Sequence, residues 1–180
     1  MAFACLVAAF VAERLVELVV SSRNIRDALS RGGTERGREH YPVMVFLHTG
    51  LLAGALAEVV LLDRPFLPWL GWPMLALVLA SQGLRWWCIA VLGRQWNTRV
   101  VVVPGATLVR RGPYRLLRHP NYLAVVVEGA ALPLVHSAWI TAAVFTVANA
   151  FLLRARIRCE DAALRELCRE PVAAPQRADR

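Results

Sequence analysis

The sequence predicts an all-α fold: an integral membrane bundle of five transmembrane helices, with a helical extension at its C-terminal end. Three observations carry this. Apolar residues make up 57% of the 180-residue chain and the mean hydropathy is +0.46, more apolar than a soluble domain of this size. The apolar residues gather into runs close to the ~20 residues a helix needs to cross ~30 Å of hydrocarbon. The arginines between those runs alternate from one connection to the next, as the two sides of a membrane require.

Taken in order, the first helix covers 2–20. Ser22 to Glu39 is polar with Gly32-Gly33 at its centre, and reads as a loop holding a short helix before the glycines. The second and third helices cover 42–62 and 72–92. Arg99 to Val103 is rich in β-branched residues and ends at Pro104-Gly105, which predicts a short strand lying under the membrane. The apolar stretch from Tyr122 to Leu153 is too long for one crossing. Pro133 and the pair His136-Ser137 divide it into helices over 121–134 and 138–168. From Arg154 on, good helix formers keep a helical period, so the last helix runs on beyond the membrane. Residues 1–170 form a single domain. Residues 171–180, small, polar and proline-containing, are expected to be a disordered tail.

The charge is all arginine: 21 basic residues, none of them lysine, for a formal net charge of +8. Five arginines lie between Ser21 and Tyr41, six between Gly93 and His119 and seven from Arg154 onward, against one in Asp63 to Gly71 and none in Leu134 to Ser137. The segregation puts the N-terminus outside and the C-terminus in the cytoplasm, in the inner (cytoplasmic) membrane. Arginines that flank apolar spans contact membrane lipids, and nucleic-acid binding is excluded as the reason for the charge. Glu13, Arg14 and Glu17 follow the first apolar run where a signal peptide would have its cleavage site. The four cysteines have no CxxC and the four histidines are scattered, so no metal site is expected and the thiols read as reduced.

Ionisable groups at membrane depth are costly and need partners. Glu13, Glu17, Ser21 and Asn24 share one helical face with Arg14 close by, and that stripe should face the bundle. Arg85 either snorkels to lipid phosphate or pairs with an intramembrane glutamate; Glu128 lies in mid-helix and needs a partner, and Arg85 is a candidate. Gly50 and Gly54 form a small-xxx-small pair, extended by Glu58 near the outer end. His48 lies about two turns from the cytoplasmic end of its helix; it is either a hydrogen-bonded packing residue or a general base.

Two polar motifs flank the last hairpin: Gly112-Pro113-Tyr114-Arg115-Leu116-Leu117-Arg118-His119-Pro120-Asn121-Tyr122, and Arg156-Ile157-Arg158-Cys159-Glu160-Asp161-Ala162-Ala163-Leu164. Both fall on the cytoplasmic side, which is where an active site is expected. Arg156 and Glu160 are one turn apart on one face. An arginine can hold an anionic oxygen, and a glutamate can meet an amine or hydroxyls. Asn121 can cap the helix that follows. On chemistry alone this is a polar pocket at the interface, or else a surface ion pair within an interfacial Tyr/Arg belt.

The combined pattern G-P-Y-x-x-x-R-H-P-x-Y, a helical hairpin, then R-x-x-x-E-[ED]-x-x-L resembles the isoprenylcysteine carboxyl methyltransferase family over Ala106 to Leu164. That resemblance implies an integral membrane enzyme with S-adenosylmethionine as cofactor. It implies cofactor contacts from Ala106, Thr107, Leu108, Val109 and Tyr114, a cofactor clamp from His119, Pro120, Asn121 and Tyr122, and a cofactor-side acid at Glu160. It makes Arg156 the substrate-side arginine; Asp161 stands where many members have a second glutamate. Arg85-Trp86-Trp87-Cys88, Leu92 to Arg99, Val103 to Ala106, Glu13 to Leu18 and Glu39-His40-Tyr41 are similar to a bacterial subgroup of O-methyltransferases paired with type III polyketide synthases. The implied acceptors are lipophilic small molecules entering from the bilayer: alkylpyrones, alkylresorcinols and related phenolic lipids.

The expected reaction is O-methylation, with Arg156 and His48 as the catalytic residues. A hydroxypyrone arrives ionised and needs only Arg156 as counter-ion; a resorcinol needs a base, either His48 or a glutamate of the first helix. The alternatives are a prenylcysteine carboxylate, lipid amine or thiol acceptor on the same fold, a membrane reductase, and a non-catalytic scaffold.

Overall fold

The computed structural model describes residues 1–169. The order is α1 (Ala2–Ser30), β1 (Thr34–Arg36), α2 (His40–Leu61), α3 (Pro68–Leu92), β2 (Val100–Val102), α4 (Pro120–Leu134) and α5 (Trp139–Arg169), with single 3₁₀ turns at Gly93–Gln95 and Gly112–Arg115. The tail expected over 171–180 lies outside the described residues.

Among the described residues five α-helices form, near the expected boundaries except at the first. Ser22 to Ser30 continues α1 instead of forming a loop with a separate short helix. The physical reason lies in its contacts: Asn24 donates to the carbonyls of Gly93 (3.1 Å) and Trp96 (2.7 Å), Ala28 is buried, and Asp27 pairs with Arg31 one turn on. Among the described residues, three helices are long and apolar enough to cross a membrane, His40–Leu61, Pro68–Gln95 and Trp139–Arg165, so this is a membrane protein. α1 carries Glu13, Arg14 and Glu17 in mid-helix. α4 has 15 residues, about 22 Å at 1.5 Å per residue, short of the ~30 Å hydrocarbon.

Local chemistry sets the ends. Pro68 and Pro120 occupy first-turn positions, where the missing N–H costs nothing. Gly93 ends α3 at φ +52, a left-handed value that favours glycine. The predicted strand forms as β2 and pairs antiparallel with β1, Thr34 opposite Val102 and Arg36 opposite Val100. At the opposite end, Phe3, Val7 and Phe10 of α1 pack with Ala55, Val78, Ala131, Leu132 and Val135 in one apolar core.

α3, α4 and α5 pack side by side. A Cβ at position 129 would collide with the Phe145 ring, so Gly129 is what lets α4 and α5 approach. Of the α2 glycines, Gly54 faces Thr141 while Gly50 faces open space. Glu58 is buried and caps α5: it accepts from the Ile140 and Thr141 amides (3.1 and 2.7 Å) and the Thr141 hydroxyl (2.8 Å), and pairs with Arg64 (2.9 Å).

Candidate active site

The bundle encloses one large cavity of about 700 Å³. One end is built from the 94–122 connection with α4 and α5. The other runs up between α1 and α2 along Val7, Val11, Leu15, Leu52 and Leu56. The polar motif residues gather at the loop end, and the α1–α2 arm is mainly apolar, with Arg14, Glu17 and Arg85 also lining the cavity.

At the loop end, His119 precedes α4 and its ring stacks on Tyr122, centroids 5.5 Å apart. Tyr122 donates its phenol to Glu160 Oε2 at 2.5 Å. His119 Nε2 donates to Asp161 Oδ1 at 3.2 Å, and its Nδ1 lies 3.8 Å from Glu160 Oε1. One helical turn of α5 thus fixes both rings of the H-P-x-Y motif, and Glu160 keeps Oε1 without a hydrogen bond from either. Gly112, at φ +56 and against Val91 and Trp87, turns the chain so that Tyr114 enters the bundle. Burial, with the Cys88 thiol beside it, pushes the Tyr114 phenol well above its ordinary pKa, so Tyr114 stays a hydrogen-bond donor.

Arg156 is buried one turn deeper. It lies 5.8 Å above the Tyr122 ring, donates to the Thr98 carbonyl (2.8 Å) and touches the Met44 sulfur. Met44 in turn orients His48, whose Nδ1 is 2.9 Å from the Met44 carbonyl oxygen. A carbonyl only accepts, so Nδ1 carries a proton, and in the neutral ring Nε2 keeps its lone pair. The ring is braced edge-on against Phe145.

Below His48 lies a charge network. Arg14 pairs with Glu17 (2.6 Å) and reaches Glu128 (3.4 Å); Arg85 pairs with Glu128 (2.6 Å) and lies 3.5 Å from Glu17. Glu13 accepts from Gln82 and from the Trp86 indole. Further along the α1 stripe, the Ser21 hydroxyl holds Thr98 through both its amide and its side chain (2.9 and 2.8 Å). The stripe therefore joins helices at its centre and anchors the site loop at its end.

Of the residues singled out from sequence, Ala106, Thr107, Leu108, Val109, Tyr114, His119, Asn121, Tyr122, Glu160, Arg156 and His48 all line this one cavity. Pro120 is buried and does not line it; its role is to start α4. Sequence reasoning missed Asp161 as the His119 partner, Met44 and Thr98 as supports of Arg156, and Asn149. Only Asp161 left a signal, by its place beside Glu160. The donor set fits a polar, cationic cofactor: a free carboxylate oxygen on Glu160 beside buried groups with unmet hydrogen bonds on Trp96, Asn97 and Asn121, all three residues lining the cavity.

A helical membrane protein whose polar cavity is built on these two motifs falls among the membrane methyltransferases. Residues 74–166 match the Isoprenylcysteine carboxyl methyltransferase (ICMT) family, and the chain belongs to that family. It is also 39% identical to "Uncharacterized protein YpbQ" of Bacillus subtilis (strain 168), over 91% of this chain and 97% of that protein.

Proposed function

We propose that this protein is an S-adenosylmethionine-dependent O-methyltransferase acting on a membrane-dissolved phenolic or enolic lipid, an alkylresorcinol or alkylpyrone. The observation that supports this is the cavity itself: one space joins a carboxylate-bearing polar end, a buried arginine, a histidine with a free lone pair, and an apolar slot between two helices. The cofactor belongs at the loop end, held by Glu160, His119, Asn121, Tyr122 and Tyr114 with the 106–109 backbone. When bound, S-adenosylmethionine supplies an electrophilic sulfonium methyl; the acceptor oxygen gains that carbon, and the electrons of the broken S–C bond stay on sulfur as a thioether.

The chain's own residues do the rest. Arg156 stabilises the negative charge on the acceptor oxygen and aims it toward the loop end. His48 Nε2 takes the proton of an un-ionised phenol. Val11, Leu15 and Val45, which line the cavity yet remain exposed on the helix surfaces, admit the alkyl chain from the bilayer. Two buried charges pairing at the centre of reaction favour a site shielded from water. The polypeptide crosses the inner membrane five times with N-terminus outside, α1 and α4 tilted or locally thinning the bilayer, and the loop end is cytoplasmic. A functional pairing with a type III polyketide synthase fits such an acceptor.

The test is methyl transfer by purified protein in nanodiscs, with radiolabelled cofactor and three acceptors: an alkylresorcinol, an alkylpyrone and farnesylcysteine. Label is expected on the phenol or enol oxygen. Label confined to farnesylcysteine would overturn the acceptor assignment, and no label from any cofactor-loaded sample would overturn the activity.

A further inference from the structure

We propose that Asn149 reads a second oxygen on the acceptor ring, so that the preferred substrates are lipids whose ring carries two oxygen substituents. The inference rests on the phenolic-lipid reading above and deepens it. Asn149 is 2% exposed and lines the cavity, and its Oδ1 has no hydrogen-bond partner among the described residues. It lies seven residues before Arg156, two turns along the same face of α5, a separation of ~10 Å. His48 braces on Phe145, one turn before Asn149. Asn149 therefore stands on α5 between the residue that braces His48 and Arg156, so a ring held by those two presents an edge to Asn149.

The energetics point the same way. A buried amide with an unmet acceptor is destabilising, and a hydrocarbon of its size would suit the bundle better. Asn149 supports no neighbouring helix through a hydrogen bond at that oxygen. An unmet acceptor selects a ligand that brings a donor, and the amide nitrogen of Asn149 suits a ring carbonyl. A site built to hydrogen-bond a hydroxyl discriminates strongly against the analogue lacking it, because its own polar groups are then stranded.

The experiment compares a 5-alkylresorcinol with the 3-alkylphenol of the same chain, using wild type and Asn149→Leu in nanodiscs, and melts both proteins without ligand. Wild type should prefer the resorcinol by ~100-fold or more in kcat/KM, and Asn149→Leu should shrink that preference to within about tenfold. The ligand-free variant should melt ~2 °C or more above wild type, since a stranded amide has gone. A lower melting temperature would make Asn149 a structural residue and overturn the inference, as would a preference left intact in the variant. Wild type that methylates both acceptors equally overturns this inference alone. Wild type that methylates neither overturns the phenolic-lipid reading, and this inference with it.

Discussion

Arg156 and Glu160 stand one turn apart on α5 and have different neighbours, which lets their roles be separated. Arg156 contacts the Thr98 carbonyl, Met44 and the Tyr122 ring, with His48 one turn of α2 away. Glu160 meets Tyr122 and His119 at the loop end. Arg156→Lys keeps the charge but loses the planar fork that serves these contacts together. It should lower kcat/KM by ~10²-fold or more with little change in cofactor affinity, while Glu160→Gln should weaken the cofactor first. Binding titrations and a methylation assay on both variants check this; equal damage to cofactor binding would refute the division. Tyr114 gives a pH prediction. Its phenol is raised in the folded protein, so stability is unaffected by it below the unfolded value of ~10 and falls as pH rises beyond that, where only the unfolded chain loses the proton. Tyr114→Phe should therefore flatten the alkaline loss of melting temperature, and an unchanged alkaline slope would count against the burial described.

At the scale of elements, the hairpin of α4 and α5 depends on a residue far from both motifs. Glu58 satisfies two amides at the start of α5 and pairs with the part-exposed guanidinium of Arg64. Glu58→Ala should destabilise the protein by roughly 2–3 kcal/mol through the lost cap and charge-assisted bonds, with cofactor affinity per folded molecule retained. Detergent melts with a cofactor titration measure both. Nothing local marked Glu58 for this task, because its partners lie 82 and 83 residues away. By contrast, apolar run lengths gave the helices, Pro133 with His136-Ser137 placed the α4–α5 turn, and Val100–Val102 formed the expected strand. The Arg85–Glu128 pair was one of two readings open for Arg85, the other being a reach to lipid phosphate, and the fold forms the pair at 2.6 Å. The continuation of α1 to Ser30 was not, because Asn24 finds its carbonyls in a segment about 70 positions on. The motif residues converge on one cavity because each motif is local; Asn149 and Met44 escaped notice because only packing brings them there.

For the whole molecule, the arginine distribution is the strongest constraint on orientation. Reporter fusions at Arg64, Arg110 and Arg169 should read outside, inside and inside; an outside signal at Arg110 would move the site to the other face. The proposed chemistry depends on cofactor binding at the loop end. The most direct measurement is the melting of wild type, His119→Ala and Tyr122→Phe with and without S-adenosylhomocysteine. Wild type should gain roughly 2.7 kcal/mol at about 100 times the dissociation constant, and both variants should melt near wild type without ligand yet lose most of that gain. Equal stabilisation of all three proteins would contradict the assignment of the His119–Tyr122–Glu160 cluster as the cofactor site.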